Sequence, residues 1–397
     1  MLNKIFKIFL LTSGIIFLVI SCSDDPTSIG IDLLPNKDFI DIFTVNSDEG
    51  AFAQESKTYT DSLDLTSSSV LHLGKHDNIQ STMLMKFFIF LPDSIKDPIN
   101  NGTFQVLNST IELVPIYTYA DKSNYFDFSL HEINSSWSSL TFNKDSLANL
   151  NYENIDVSSN RIYADNLITL DFDKELTQEW LKYSASGEQV GNNNGLYFNF
   201  DPSSNKVVGF PAISYEDGSK LTKLTIVIEV PGNFIDTVVV PVTSDVHVVL
   251  GDLPTGNPEN IFIQGGIAVR SNFMIDVSLI PDNTIINKAT LNFSYDETES
   301  LIGSKTSDSL GAITLTDYAS NTINETLQPA LFTREGMIYS GDITRFVQSW
   351  VSEQENNGLQ LFLVNEITTV NKVALKGALA ADSSARPYLE VIYTAKR

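Results

Sequence analysis

Cysteine, cationic residues and long hydrophobic runs are all scarce in this chain of 397 residues. Cys22 is the only cysteine, so neither a disulfide framework nor a cysteine nucleophile in the folded part is available. Lysine and arginine number 25 against 49 acidic residues, a formal net charge of −24. Such a surface repels phosphate, which argues against nucleic-acid binding, and contact with lipid head groups would need another anchor.

The longest apolar run, Ile8 to Ile20, has 13 residues and follows Lys4 and Lys7. A helix needs about 20 apolar residues to span a bilayer. The pattern therefore predicts a signal peptide, residues 1–21, rather than a membrane span.

The end of this segment, Val19 to Cys22, resembles the bacterial lipobox. The resemblance implies that Cys22 is the lipid attachment site and becomes the first residue of the mature protein. Two or more acyl chains give stable membrane anchoring, whereas one chain does not. An ordinary secretory signal that happens to contain a cysteine is the alternative.

The residues that follow, Ser23, Asp24 and Asp25, resemble an acidic export signal that sends lipoproteins of one Gram-negative phylum to the outer face of the outer membrane. If they are only solvated, the protein faces the periplasm. Residues 22–45 are polar and rich in turn formers, and they are predicted to form an acidic tether. Within them, Ser28 to Pro35 resembles the start of an uncharacterised lipoprotein family.

Beyond the tether, short runs rich in β-branched and aromatic residues alternate with turn residues every eight to twelve positions or so. This spacing predicts an all-β fold of antiparallel β-sandwich, jelly-roll-like modules. The length favours two modules, 46–232 and 233–397. Each contains a short amphipathic helix, predicted around Leu176–Leu181 with Asp173 as its cap and around Ile343–Val351 with Asp342 as its cap.

A repeat supports the two modules. Each helix contains a tryptophan, Trp180 or Trp350, and is followed by asparagines and a glycine, Gly195 or Gly358. The spacing from each glycine to the end of the closing strand is the same, 35 residues. The tryptophans are predicted to seal the core, and the glycines to supply positive φ at a helix-to-strand corner.

The repeat also resembles the DNRLRE family of β-sandwich domains, some of which are counted as carbohydrate-binding modules. In the second module the resemblance rests on "KATL" (Lys288–Leu291), "FVQSW" (Phe346–Trp350), "NNGLQL" (Asn356–Leu361) and "RPYLEVIY" (Arg386–Tyr393). The first module has "NSSWSSLTF", "TQEW" and "NNNGLYF" but lacks the closing proline and tyrosine. The resemblance implies the sandwich fold and is weak for any ligand.

The segment Tyr117 to Phe128 is unusually aromatic. Sugars bind flat aromatic faces through their C–H surfaces, with polar groups for the hydroxyls. Tyr117, Tyr119 and Tyr125 are therefore the candidate ligand-binding residues, and the alternative is that these rings belong to the core.

Metal and catalytic motifs are weak. Histidines 72 and 76 could share a strand face as metal ligands, although solvated histidines are the simpler reading. Asp171 and Asp173 with Asp296 and Glu297 could form a calcium site, or they could be solvated acids and helix caps. No G-x-S-x-G elbow or phosphate-binding glycine loop occurs in the sequence, so a catalytic residue and any other cofactor are not predicted.

These features lead to a non-catalytic, lipid-anchored protein of the outer membrane surface that binds glycan or acts in adhesion. A structural or assembly lipoprotein that binds envelope proteins is the first alternative. An enzyme acting on polysaccharide is the second. The expected partners are the membrane, through the lipid, and either polysaccharide or envelope proteins.

Overall fold

The computed structural model describes residues 40–47, 52–164, 166–282, 284–304, 309–352 and 355–396. The predicted signal peptide, the lipid attachment site Cys22 and the export signal Ser23, Asp24 and Asp25 lie outside the described residues. No helix in these ranges combines the length and the apolar character that crossing a bilayer requires.

The described residues form mostly strands, separated by short turns and a few helices. In chain order the strands are β1 (Ile40–Asn46), β2 (Gln54–Thr60), β3 (Val70–His76), β4 (Ile79–Lys86), β5 (Gln105–Leu113), β6 (Tyr117–Tyr119), β7 (Phe128–Glu132), β8 (Ser158–Ala164), β9 (Leu167–Phe172), β10 (Leu196–Phe200), β11 (Lys206–Pro211), β12 (Lys223–Val230), β13 (Phe234–Pro241), β14 (Ser244–Gly251), β15 (Asn260–Gln264), β16 (Val269–Ile275), β17 (Ile285–Ser294), β18 (Leu310–Asp317), β19 (Thr322–Ile323), β20 (Ala330–Glu335), β21 (Ile338–Asp342), β22 (Leu359–Leu363), β23 (Lys372–Lys376) and β24 (Tyr388–Lys396). The helices are α1 (Asp93–Asn100), α2 (Lys144–Ala148), α3 (Lys174–Ser186), α4 (Gln189–Asn192) and α5 (Thr344–Ser352), with 3₁₀ turns at Gly218–Lys220 and Ser383–Ala385.

Module 1 is a sandwich of two antiparallel sheets. The outer sheet has the order β13-β12-β5-β9-β8, and the middle sheet has the order β6-β11-β3-β4-β10-β7 with β14 added to β4. In β12 every second residue is buried, as expected for a strand with one face on the core. Leu224, Ile226 and Ile228 of that face pack with Leu71 and Met83 of the middle sheet.

Module 2 is one antiparallel sheet that folds around its own core. Its order is β1-β24-β17-β21-β20-β18-β22-β16-β15-β23, with β19 added to β18 and β2 added to β16. Val391 of β24 and Val373 of β23, near opposite ends of this order, lie in the same hydrophobic core. The all-β, antiparallel sandwich class predicted from the sequence is confirmed.

The first strands of the chain belong to module 2. Strand β1 pairs with β24 and β2 pairs with β16. Conversely, β13 pairs with β12 and β14 pairs with β4 of module 1. This differs from the predicted boundaries in three ways. Ile40–Asn46, which lies mostly in the predicted tether, forms a strand of module 2. Strand β2, inside the predicted module 1, also belongs to module 2, and residues 234–251 complete module 1 rather than begin module 2.

The two modules repeat one another in pairing as well as in sequence. In module 1, β5 lies between β12 and β9. In module 2, β17 lies in the same way between β24 and β21. Strands β10 and β4 pair at the start of β10, as β22 and β16 do at the start of β22. We call β1 and β2 of module 2, and β13 and β14 of module 1, the added strands. They match as well, since β13 pairs with β12 as β1 pairs with β24, and β14 pairs with β4 as β2 pairs with β16.

The repeated helices cover the two cores. The Asp173 carboxylate accepts the Leu176 N–H at 2.8 Å at the start of α3. Asp342 accepts the Thr344 N–H at 2.9 Å before α5. Trp180 is fully buried and Trp350 is 9% exposed, so both rings belong to the core, where they were expected.

The repeated glycines, Gly195 and Gly358, occupy positions where a side chain would not fit. Gly195 has φ 83° and Gly358 has φ 76°, the left-handed region that favours glycine. A side-chain carbon would lie 2.2 Å from the Met85 carbonyl oxygen at Gly195, and 2.6 Å from the Phe273 oxygen at Gly358. The repeated Asn-x-Gly motif is therefore a packing feature of the strand corner.

Candidate ligand-binding site

Two of the three predicted ligand-binding tyrosines are buried between the modules. Tyr117 is 1% exposed and Tyr119 is fully buried, so neither ring can offer its face to a surface ligand. The prediction that these two residues bind ligand is corrected by this burial. Their alternation on β6 points both rings to one face of the middle sheet, and module 2 covers that face.

The buried tyrosines hold the modules together. Tyr117 Oη donates to Asn371 Oδ1 at 2.8 Å and accepts the Val370 N–H at 3.3 Å. The Ser304 N–H donates to the Thr118 carbonyl at 2.8 Å, next to Tyr117. A salt bridge of 2.8 Å between Lys372 of module 2 and Asp77 of module 1 lies at the same junction. These bonds and the surrounding apolar contacts make the junction a packed interface.

Tyr125, the third predicted residue, is 53% exposed. It lies between β6 and β7 in a loop that residues 201–205 hold in place. The Asn205 N–H donates to the Tyr125 carbonyl at 2.9 Å, and Ser204 Oγ donates to the Asp127 carbonyl at 2.9 Å. The backbone around Tyr125 is thus fixed by the neighbouring loop, while its ring stands at the surface.

A second tyrosine joins Tyr125 through one carboxylate. Tyr163, on β8, is 44% exposed. Its hydroxyl donates to Asp127 Oδ1 at 2.5 Å, and the Tyr125 hydroxyl donates to Asp127 Oδ2 at 3.4 Å. The short bond orients the Tyr163 ring, whereas the contact of the Tyr125 hydroxyl is too long to fix its ring. Tyr163 also makes edge-to-face contacts with Phe126 and Phe128 at centroid distances of 6.3 and 6.5 Å.

A guanidinium group completes the cluster. Arg161 precedes Tyr163 by two residues on β8, and its Nη1 lies 3.8 Å from Asp127 Oδ1. Nη2 binds Asp156 and also donates to Ser158 Oγ at 2.8 Å. The guanidinium carbon lies 5.8 Å from the centre of the Phe128 ring, within cation–π range. We call Tyr125, Asp127, Arg161 and Tyr163 the tyrosine platform.

Loss of hydration and the nearby carboxylate raise the pKa of both phenols of the platform above the ordinary value. Loss of hydration, followed by the charges of Asp127 and Asp201, raises the pKa of Tyr125. Burial and the hydrogen bond to Asp127 raise the pKa of Tyr163. Burial opposes ionisation of Asp156, but bonds from Ser158 and Leu130 and the Arg161 charge lower its pKa overall. The site therefore presents neutral rings beside a fixed carboxylate and a fixed cation.

Such an arrangement suits a polyhydroxylated ligand. Aromatic faces can stack on the C–H surface of a sugar ring, while the carboxylate and guanidinium bind hydroxyl groups. From the sequence, only Tyr125 of the platform was a candidate. Arg161 and Tyr163 are two residues apart in the sequence, and this spacing places two side chains on the same face of a strand. What the local pattern cannot reveal is that β8 lies beside the loop before β7.

The predicted metal ligands are not brought together. Among the described residues, no group of three or more histidine, cysteine, aspartate or glutamate side chains is placed to hold a metal ion. Asp173 caps α3, and Asp296 forms a 3.0 Å salt bridge with Lys376. His72 Nδ1 lies 3.2 Å from His247 Nε2, and burial lowers the pKa of His247 to about 3.

Comparisons with known proteins add little. No family model matches the chain, and no curated protein matches it. Among solved structures, the chain is similar to the N-terminal domain of the Streptococcus gordonii adhesin Sgo0707, at 8% sequence identity and a TM-score of 0.15. The match covers 78% of this chain and 51% of that one, so this chain spans about half the length of the adhesin chain. No property of the adhesin is transferred at this level of similarity.

Proposed function

We propose that this protein is a non-catalytic, lipid-anchored surface protein that binds neutral glycan through the tyrosine platform. The observation that carries the proposal is the pair of half-exposed rings, Tyr125 and Tyr163, on either side of the Asp127 carboxylate, which binds the Tyr163 hydroxyl at 2.5 Å. The anchor rests on the sequence of the N-terminus, and the resemblance to DNRLRE-type domains is consistent with sugar binding.

The charge of the molecule selects among glycans. With a formal net charge of −24, the protein repels sulfated and uronic-acid polysaccharides over a distance set by ionic strength. The carboxylate of Asp127 lies at both phenol hydroxyls, and Asp156 already neutralises Arg161. A neutral sugar meets no such repulsion, so it is the ligand class we propose.

The test is a binding measurement on the full chain against immobilised neutral and anionic polysaccharides. Tyr125→Ala and Tyr163→Ala should each weaken binding by about fivefold or more, because truncating an aromatic anchor costs more than about 1 kcal/mol. Phe90→Ala is the matched control, since this ring is 77% exposed elsewhere in module 1. Tyr163→Phe keeps the ring and removes its bond to Asp127, so its loss should be smaller.

Two outcomes would contradict the proposal. Glycan binding that survives both alanine substitutions would place the ligand elsewhere on the surface. A chain that is folded and binds none of the polysaccharides, with or without added calcium, would contradict glycan binding itself.

The lipid anchor has its own test. Cys22→Ala should release the protein from membranes, and unchanged membrane association would contradict the lipid anchor.

A second candidate function is assembly with envelope proteins. Strand β13 pairs with β12 on one side, and within the described residues its other edge pairs with no strand. Ile235 and Val239 on β13 are 62% and 54% exposed. An added strand from a partner would satisfy this edge. Chemical cross-linking from β13 that recovers one stoichiometric envelope protein would favour this function over glycan binding.

A further inference from the structure

We infer that the end of module 2 farthest from module 1 is the membrane-facing surface of this protein and contacts the lipid bilayer. The inference rests on the proposed lipid anchor at Cys22. Its own support is the direction in which the chain enters module 2 and the apolar side chains found where it enters.

The junction defines one end of the sheet of module 2. Gln264, the last residue of β15, bonds with Asn78 of module 1, and Lys372, the first residue of β23, pairs with Asp77. Strand β16 starts at Val269, five residues after Gln264, and therefore runs away from module 1. Every pairing along the path from β16 to β1 is antiparallel.

Seven antiparallel pairings separate β16 from β1 in the sheet order. An odd number of reversals makes β1 run opposite to β16, and so toward module 1. Ile40, the first residue of β1, therefore lies at the end of the sheet opposite to the junction. We call this end the far pole. Strand β17 alone has ten residues, about 33 Å of extended chain, which separates the far pole from module 1.

Apolar side chains are exposed at the far pole. Ile42 and Ile285 both pair with Thr394 of the strand between them, so they lie on one face, about 10 Å apart. They are 69% and 59% exposed. Leu279, in the segment that follows β16 at the same pole, is 54% exposed. Isoleucine and leucine are side chains that partition into the boundary between head groups and acyl chains.

The length of chain between anchor and pole fits this contact. Eighteen Cα–Cα steps separate Cys22 from Ile40, at most about 65 Å when fully extended. Module 1 is farther along the chain and on the opposite side of module 2. The tether length by itself permits several orientations, and the exposed apolar side chains favour the one with the far pole on the lipid. The tyrosine platform, in module 1, is then displayed away from the membrane.

Hydrogen exchange on phosphatidylcholine vesicles tests the inference. The lipid has no net charge, so repulsion of this acidic protein does not enter. Attachment should slow amide exchange in peptides covering 40–43 and 276–285 and leave peptides of module 1 unchanged. In the double variant Ile42→Ser, Ile285→Ser the protection should be lost while attachment remains. The matched control is Ile162→Ser, Ile235→Ser, two isoleucines of module 1 that are 66% and 62% exposed.

The two failures are distinguishable. If the natively expressed chain does not attach to membranes, the anchor proposal has failed, and coupling Cys22 to a maleimide lipid imposes the same point of attachment for the exchange experiment. Protection that appears in module 1, or protection of the far pole that the double variant retains, would overturn the inference. Attached protein with no protection anywhere would overturn it as well.

Discussion

Replacing Tyr117 with phenylalanine should weaken the junction between the modules without changing its shape. The phenol oxygen accepts the Val370 N–H at 3.3 Å and donates to Asn371 Oδ1 at 2.8 Å. Without the oxygen, Asn371 Oδ1 keeps the Gly303 N–H at 2.8 Å, whereas the Val370 N–H loses this acceptor in a buried place. The ring and its packing remain.

The expected loss in the free energy of unfolding is about 1–3 kcal/mol, the usual penalty for a buried polar group left without its partner. Urea unfolding followed by circular dichroism measures it, and the slope with urea should not change. The added strands and the junction connect the modules, so we expect one cooperative transition. Two separate transitions would show that the modules unfold independently and that the junction contributes little.

Tyr119→Phe is the matched control. Tyr119 is equally buried, but its hydroxyl takes only a long bond of 3.4 Å from Gln264, whose amide is also 3.4 Å from the Val370 carbonyl. Removing this hydroxyl should cost less than removing that of Tyr117. If the two substitutions cost the same, the hydrogen bonds of the Tyr117 hydroxyl with Val370 and Asn371 are not what stabilises the junction. Neither variant should affect the glycan binding that we propose for the tyrosine platform.

Three further predictions concern single features of the fold. Burial raises the pKa of Asp245 from 3.8 to about 6, so the folded state holds this proton more tightly and loses stability as the pH rises from about 4 to 7. The Asp245→Asn variant should therefore gain about 2 kcal/mol relative to wild type between pH 4 and pH 8 in urea titrations, and an unchanged difference would refute this. Gly358→Ala should destabilise more than Gly336→Ala, because both have positive φ but only at Gly358 does the new methyl group meet a backbone oxygen, that of Phe273 at 2.6 Å; equal melting temperatures would contradict this. Deleting residues 40–60 exposes one edge each of β24 and β16, so light scattering should show aggregation. A monomeric product would argue against the pairing of β1 and β2 with module 2.

The local features of the fold could be predicted because local chemistry specifies them. The helix caps Asp173 and Asp342 and the glycines of the two corners act within a few residues of their place in the chain. The position of β1 could not be predicted in this way, since its partner β24 lies over 300 residues away. One signal was present: Phe-Ile-Asp occurs at 39–41 and again at 234–236, the starts of the two matching added strands.

The candidate site likewise combines local features that the sequence predicts with tertiary contacts that it does not. The parity of Tyr117 and Tyr119 correctly places their rings on one face of a strand, but which face is covered depends on how module 2 packs. Tyr125 differs because it lies in a loop, where about half of its surface stays exposed. Asp127 becomes part of the platform only when β8 brings Tyr163 to it, a contact between residues 36 positions apart. Sequence patterns predict faces, and the tertiary fold decides which of them remain exposed.

The pairing of the added strands predicts which fragment of the chain should fold alone. Module 1 consists of β3 to β14, because β13 and β14 pair with β12 and β4, so residues 61–252 should give a cooperatively unfolding domain that retains the tyrosine platform. The fragment 46–232 lacks both added strands and carries β2 without β16, its partner. It should therefore unfold at lower urea concentration and aggregate through the open edges. Circular dichroism and gel filtration of the two fragments measure these differences. Equal stability would mean that β13 and β14 do not stabilise module 1.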